Sequence, residues 1–448
     1  MAMAKNVIVR RASELKAVGA TVLQAAFSIG LVRQVLGGLG KRKRLFDAVT
    51  TWLIFLGQTL AADHSCRNAL AQARAAKLVS AKASVRTGAY CQARNRLPEK
   101  PLHGLATGLG AKLSEAERKI ERWHGRRVVV PDGSTVTLPD TPENQAAYPQ
   151  YLEQAPGCGF PIMYLCTLMS LASGALLDFA LGNKHAGELN LWRRLWNLFK
   201  PGDIVLGDRA YCSYADLALL RQRQVDVVAR LGKRKTDFRQ GRIVGIKDHI
   251  TCWQAPAQLP AWVDTQAIPA QMTVREIRYD VAVPGFRVET VTLVTTLLDS
   301  AEYTKEDLAE LYFCRWQVEL RLRDIKILLG MEQLRTKTPK RVRKEIWMFL
   351  AAYNLLRTLM CSATSKANVP VARISFQGCR QRLVAAIPEM KGSAAFSRQY
   401  RRLIHEVARD LNPERPFRIE PRAVKRRLNQ YSLLSKPRAV WKKLLEAA

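Results

Sequence analysis

Two kinds of apolar spacing divide the chain. Up to about residue 115, apolar residues recur every three or four places, in RASELKAVGATVLQAAFSIGLVRQVL and in FDAVTTWLIFLGQTLAA, with GGLGKRKR between them. That period predicts amphipathic helices, so residues 1–115 read as a helical region. From about residue 125 short continuous apolar runs take over. VVVPD (128–132) predicts a buried strand that ends at Asp132. The stretch from Phe160 to Gly182 is apolar for long enough to suggest a membrane span, but Pro161, Gly174 and Asp178 interrupt it. Ser173-Gly174 splits it into two strand-length runs, which predicts a buried hairpin. AGELNLWRRLWNLF (186–199) then reads as a helix, DIVLGDRAY (203–211) starts as a strand, YADLALLRQR reads as a helix and VDVVARL (225–231) as a strand. Strands alternating with helices in this way imply an α/β fold, a mixed sheet with helices on its faces.

Between about 233 and 300 the period drops to two. TVREIRYDVAVPGFRVETVTLVTTLLD alternates apolar and polar places around a turn at Pro284-Gly285, so an inserted β-rich antiparallel piece is expected. Residues 305–330 return to helical spacing, IWMFLAAYNLLRTLM is a further apolar helix, and residues 366–448 are helical and basic.

With 448 residues and 48% hydrophobic content, the chain can bury a sizeable core and is not a disordered tail protein. Its 71 Lys and Arg against 38 Asp and Glu leave a formal charge of +33, spread along the whole length. Such a field seeks a polyanion, and double-stranded DNA is the first candidate. A membrane partner is not expected, because no concentrated basic amphipathic helix stands out. The nine cysteines are odd in number and scattered, with no CxxC, and the six histidines are isolated. Neither a disulfide framework nor a zinc site is expected, and a reducing cytoplasm, with the protein on the nucleoid, fits. No signal-peptide pattern opens the sequence.

The candidate chemistry lies on the 305–330 helix. At about 100° per residue, Tyr312, Arg315 and Lys326 project within roughly 40° of Glu319, while Asp324 falls well away from that stripe. A carboxylate flanked by cations and a phenol suits a metal-held phosphodiester, the acid binding the ion and the cations holding phosphate oxygens. The same spacing also describes a solvated helix with an Arg315–Glu319 pair four residues apart. Two-metal phosphoryl transfer needs further acids from distant parts of the chain, and Asp132 and Asp208 follow apolar runs predicted to share a sheet. Hard oxygen ligands select Mg²⁺, with Mn²⁺ as a substitute. An aspartate after a strand is also an ordinary turn residue, so the weight lies on the set.

DGST at 132–135 followed by LPDTPEN, GDRAY at 207–211, and Tyr312-x2-Arg315-x3-Glu319-x6-Lys326 together resemble the three catalytic blocks of bacterial insertion-sequence transposases of family four. The last spacing matches the YREK signature of these DDE enzymes in full. GAYCQARNRLP (88–98) and EPRAVKRRLNQYSLLSKPR (420–438) look like the same group, so the resemblance spans most of the chain.

The resemblance implies a ribonuclease-H-like mixed-sheet core in two parts, 116–232 and 301–365, interrupted by the β-rich insertion at 233–300. The helical 1–115 region would bind DNA, and the basic helical 366–448 region would close the chain. Carried over by position, Asp132, Asp208 and Glu319 become the catalytic, metal-binding triad for two Mg²⁺ ions. Tyr312, Arg315, Lys326 and Arg209 become DNA contacts. In that family a tryptophan of the insertion can stack on a flipped base; Trp253 and Trp262 of this insertion do not align with it, and the alternating strands nearest Glu319 offer Val291 and Thr292 instead. The activity implied is a Mg²⁺-dependent endonuclease and strand-transfer reaction, cut-and-paste through a hairpin intermediate, on transposon ends and target DNA. Two ends handled together imply a homodimer on DNA. The competing expectations are a DNA-binding protein without catalysis, or a nuclease on the same fold.

Overall fold

The computed structural model describes residues 29–36, 44–80, 84, 86–117, 122–232, 234–281, 289–387, 393–413 and 434–447. The basic run at 41–43, the Pro284-Gly285 turn, most of the first apolar repeat and most of the 420–438 stretch lie outside them.

Five helices open the described chain: α1 (Ile29–Leu36), α2 (Ala48–Leu60), α3 (Cys66–Ala75), α4 (Gly88–Arg96) and α5 (Glu99–Glu115). Short polar side chains cap two of them, Asp47 accepting from the Thr50 amide at 2.7 Å at the head of α2 and Ser65 from the Asn68 amide at 3.1 Å at the head of α3. Next come β1 (Val128–Thr137), α6 (Pro142–Ala147), β2 (Ile162–Ser170) and β3 (Leu176–Gly182). The 160–182 stretch is therefore a hairpin, turned at Gly174 with φ +68°, a conformation that suits glycine.

The chain continues through α7 (Glu188–Arg193), β4 (Ile204–Gly207), α8 (Tyr214–Gln222) and β5 (Asp226–Arg230). β1 pairs antiparallel with β2 and parallel with β4, and β4 pairs parallel with β5. The order β3-β2-β1-β4-β5 gives the ribonuclease-H-like mixed core. VVV is apolar at successive places because both faces of this sheet are covered. Val128 and Val130 point into a core with the helices α2 and α5, while Val129 joins Trp192, Trp196, Tyr211 and Leu217 on the opposite face.

The alternating segment folds as β6 (Arg242–Gly245), β7 (Asp248–Gln254), β8 (Gln271–Val281) and β9 (Glu289–Thr295). These strands extend the same sheet: β9 pairs antiparallel with β5, and the full order is nine strands, β3-β2-β1-β4-β5-β9-β8-β7-β6. Buried polar groups there are paired, Arg275 with Asp248 at 2.8 and 2.6 Å, and Glu276 with both His249 and Trp253 Nε1.

A helical run then carries α9 (Lys305–Phe313) and α10 (Gln317–Arg323), followed by α11 (Pro339–Ala367), α12 (Phe376–Ala386), α13 (Ser393–Arg409) and α14 (Arg438–Glu446). α11 is long and apolar enough to cross a membrane, yet its apolar window is 94% buried inside the protein, which makes it the central core helix. It packs on α5 and α13, and Asn354 ties it to β3 by accepting from the Leu176 amide at 2.9 Å and donating to the Leu176 carbonyl at 2.8 Å.

Candidate active site

Asp132 lies in the middle of β1, in register with Thr167 of β2, and not at a strand end as its sequence predicts. Gly133, Ser134 and Thr135 resemble a turn by composition, but each finds a partner on β2, and that pairing carries the strand on to Thr137. The Thr167 hydroxyl donates to the Asp132 carbonyl at 3.2 Å. Asp208 does follow its strand: it caps the short turn Arg209–Tyr211, its carboxylate accepting from the Ala210 amide at 2.7 Å. β1 and β4 are parallel neighbours, so Asp132 on β1 and Asp208 just past the end of β4 belong to adjacent segments.

Glu319 comes from α10, which packs against β1. The run that bears it is not one uniform α-helix. Cys314–Trp316 is a tighter 3-10 turn and Asp324–Leu328 a wider π segment, closed by Leu329 N–H to the Asp324 carbonyl at 2.9 Å. A constant 100° advance therefore does not hold along this run, and Lys326 falls within the wider π segment. Nearer the centre the stripe holds. Arg315 donates to Glu319 at 3.0 Å, and its guanidinium stands 5.9 Å from the Tyr312 ring. Asp324 lies away from the site, buried and paired with Arg323. Arg209 is exposed beside Asp208.

Charge joins these residues. Burial pushes the Asp132 carboxyl up to about 7, with Glu188, Glu319 and Asp208 adding repulsion and Arg315 opposing it. Burial likewise raises the Tyr312 phenol, against the pull of Arg315 and Arg230. Three acids from separate elements thus act on one half-buried carboxyl. As the side chains stand, no three His, Cys, Asp or Glu groups among the described residues are close enough to hold a metal ion. Like charges repel, and Glu319 turns to Arg315. The donor set nonetheless fits a hard divalent cation: its ligands are carboxylate oxygens, and a cation there would relieve the repulsion on Asp132.

Glu188, the acid with the largest like-charge effect on Asp132, escapes sequence reading. It opens α7, and its oxygen accepts from the buried Tyr211 hydroxyl. GELNLWRR carries no motif that marks it; only the tyrosine of GDRAY hints at a buried partner. The tryptophans of the insertion also separate. Trp253 is 3% exposed and bonded to Glu276, a packing residue closed to a base, whereas Trp262 is exposed under the Arg193 guanidinium at 3.8 Å. Val291 is buried, and Thr292 accepts from Arg278. Phe313 and Trp316, both largely exposed on the Glu319 run, are aromatic surfaces that sequence reasoning missed.

A concavity of about 240 Å³ lies where α2 to α4 meet the start of α11, lined by Arg94, Arg335, Lys337, Arg341 and Lys344 with the single acid Glu345. Burial, then the neighbouring charges of Lys340, Arg341 and Arg94, bring the Lys344 ammonium down to about 8, against the opposing pull of Glu99. The cleft has a surplus of cations.

The known proteins to which this chain is similar are transposases. A family profile described as a transposase DDE domain matches residues 123–355. The chain is 27% identical over 370 residues to the transposase InsG for insertion sequence element IS4 of Escherichia coli (strain K12), covering 78% of each protein. A cryo-EM structure of a piggyBac transposase synaptic complex with hairpin DNA aligns over 92% of this chain and 86% of that one, at 11% identity and a TM-score of 0.42.

Proposed function

The chain belongs to the transposase DDE-domain family, and from that premise we propose that Asp132, Asp208 and Glu319 hold two divalent cations at which the ends of an insertion sequence are cut and joined to target DNA. Membership makes it a transposase, an enzyme of DNA cleavage and joining. The observation that supports the finer reading is the convergence of charge on Asp132 from Glu319 and Asp208, acids on a helix and just past the neighbouring strand.

Mg²⁺, or Mn²⁺ in its place, would supply Lewis-acid stabilisation of the attacking and leaving oxygens when bound. Asp132 on β1 and Asp208 just past the parallel neighbour β4 would supply two of the ligands, and Glu319 a third from α10, which packs against β1. Arg315 and Tyr312 sit beside Glu319 where they can grip phosphate oxygens, and Lys326 and Arg209 are the further DNA contacts of this reading. The cationic concavity by Lys344 extends the positive surface toward the N-terminal helices and can follow the backbone of the same DNA. Each step is an in-line displacement at phosphorus, so one pocket runs all of them by exchanging the nucleophile. Water opens the end, the freed 3′ hydroxyl forms a hairpin on the opposite strand, the hairpin is reopened, and its 3′ end joins the target. Two ends handled together call for two copies of the chain. The nine cysteines stand as free thiols, which suits a reducing cytoplasm where the nucleoid offers both substrates.

The test is incubation of the full chain with labelled end DNA, supercoiled plasmid and Mg²⁺. Nicked, hairpin and plasmid-joined species are expected. Cleavage without any joined product would leave a nuclease, and binding without cleavage would leave a DNA-binding protein.

A further inference from the structure

Glu188 stands between the two aspartate-bearing segments. Its carboxylate lies against the backbone of Gly133, the residue beside Asp132: a Cβ built at 133 would fall 2.4 Å from Glu188 Cδ and 2.6 Å from Oε2. On the other side the Tyr211 hydroxyl, three residues beyond Asp208, donates to Glu188 Oε1. Tyr211 is fully buried and set edge-on to Trp192 with ring centroids 5.0 Å apart, so the donor is rigidly placed. One oxygen of Glu188 is thereby engaged, and the residue as a whole remains exposed.

We propose that Glu188 is a fourth carboxylate of the acidic site, oriented by Tyr211 so that its second oxygen completes the oxygen shell of one divalent cation beside Asp132. This rests on the reading of Asp132, Asp208 and Glu319 as cation ligands. The chemistry favours it on two counts. Three carboxylates shared between two ions leave positions to water and phosphate oxygens, and a carboxylate beside Asp132 would take one of them with a hard oxygen. Four carboxylates also carry the charge that two divalent cations neutralise, so the ions can load before DNA arrives. The Tyr211 hydrogen bond is the kind of outer contact that fixes a ligand's orientation. It gives the buried hydroxyl of the GDRAY tyrosine a task beyond packing.

Two variants move this carboxylate without touching the triad. Glu188→Gln removes its charge, and Gly133→Ala sets a methyl group where the carboxylate lies, a clash that the flexible end of Glu188 relieves by swinging away. Mn²⁺ binding to the DNA-free full chain, read by calorimetry and by the ion-induced rise in melting temperature, should weaken about tenfold or more in both. Binding of end DNA in EDTA should stay as in the wild type. Wild-type Mn²⁺ binding in both variants, alongside its loss in Asp132→Asn, would overturn the role of Glu188 and leave the triad standing. Wild-type Mn²⁺ binding in Asp132→Asn as well would remove the triad reading and this one with it. Should Glu188→Gln fail to fold, Gly133→Ala alone decides.

Discussion

Arg315 donates to Glu319 at 3.0 Å, so the acid proposed to bind a cation is held by the arginine proposed to bind phosphate. Both partners are part-exposed, at 20% and 36%, which keeps the pair weak enough to exchange. Arg315→Ala should release Glu319 and tighten Mn²⁺ binding to the DNA-free chain a few-fold. The same change should weaken end-DNA binding and lower its salt slope by about one counterion. Calorimetry and a salt titration read both effects, and an unchanged slope would take Arg315 off the DNA.

Asp132 predicts a pH dependence. Its folded pKa of about 7 lies above the ordinary 3.8, so between those values the folded state binds more protons than the unfolded one. Stability in EDTA should therefore fall as pH rises through that window, and the full penalty should persist above about 7. Asp132→Asn should be more stable than the wild type at pH 8, by about 1–3 kcal/mol, and equal to it near pH 4. Cation affinity should rise with pH and level off above about 7. Melting curves across pH that run parallel for the two proteins would contradict this.

The cationic concavity carries a mirror-image prediction. The folded Lys344 pKa, about 8, lies below its ordinary 10.5, so the unfolded chain binds more protons between those values and stability should rise with pH across them. Below pH 8 the penalty is present in full. Lys344→Met should raise the melting temperature at pH 7 and lower DNA affinity together, because the removed charge strains the apo fold and attracts phosphate. A variant that binds DNA as well as the wild type would show that the concavity lies off the DNA path.

Asn354 tests the frame beneath the site. It is fully buried and bonds both the amide and the carbonyl of Leu176, locking α11 to the hairpin whose other strand pairs with the Asp132 segment. Asn354→Leu leaves both backbone groups without partners and should cost about 2–4 kcal/mol in chemical denaturation. A loss below 0.5 kcal/mol would show that the lock is dispensable.

Period and run length made much of this fold legible in the sequence. Two-sided burial writes itself as VVV and IVLG, and the split at Ser173-Gly174 marks a hairpin rather than a span. Asp208 was visible because a strand ends at Gly207 and its side chain caps the next turn. Asp132 was misplaced because pairing across β1 and β2 is a tertiary property that overrides turn-like Gly-Ser-Thr composition. The 3-10 and π segments around Glu319 leave no mark on a period count, so Lys326 could not be positioned from spacing. Glu188 and the Lys344 concavity were invisible for a common reason: each is assembled by elements far apart in the chain, and no local pattern records which surfaces will meet.

The most direct measurement is Mg²⁺-dependent cleavage of labelled end DNA by Asp132→Asn, Asp208→Asn and Glu319→Gln, each with its end-DNA affinity measured in EDTA. Each variant should lose cleavage by at least about a thousandfold while binding the end as the wild type does. Cleavage surviving in any one of the three at near wild-type rate would contradict a shared three-acid site.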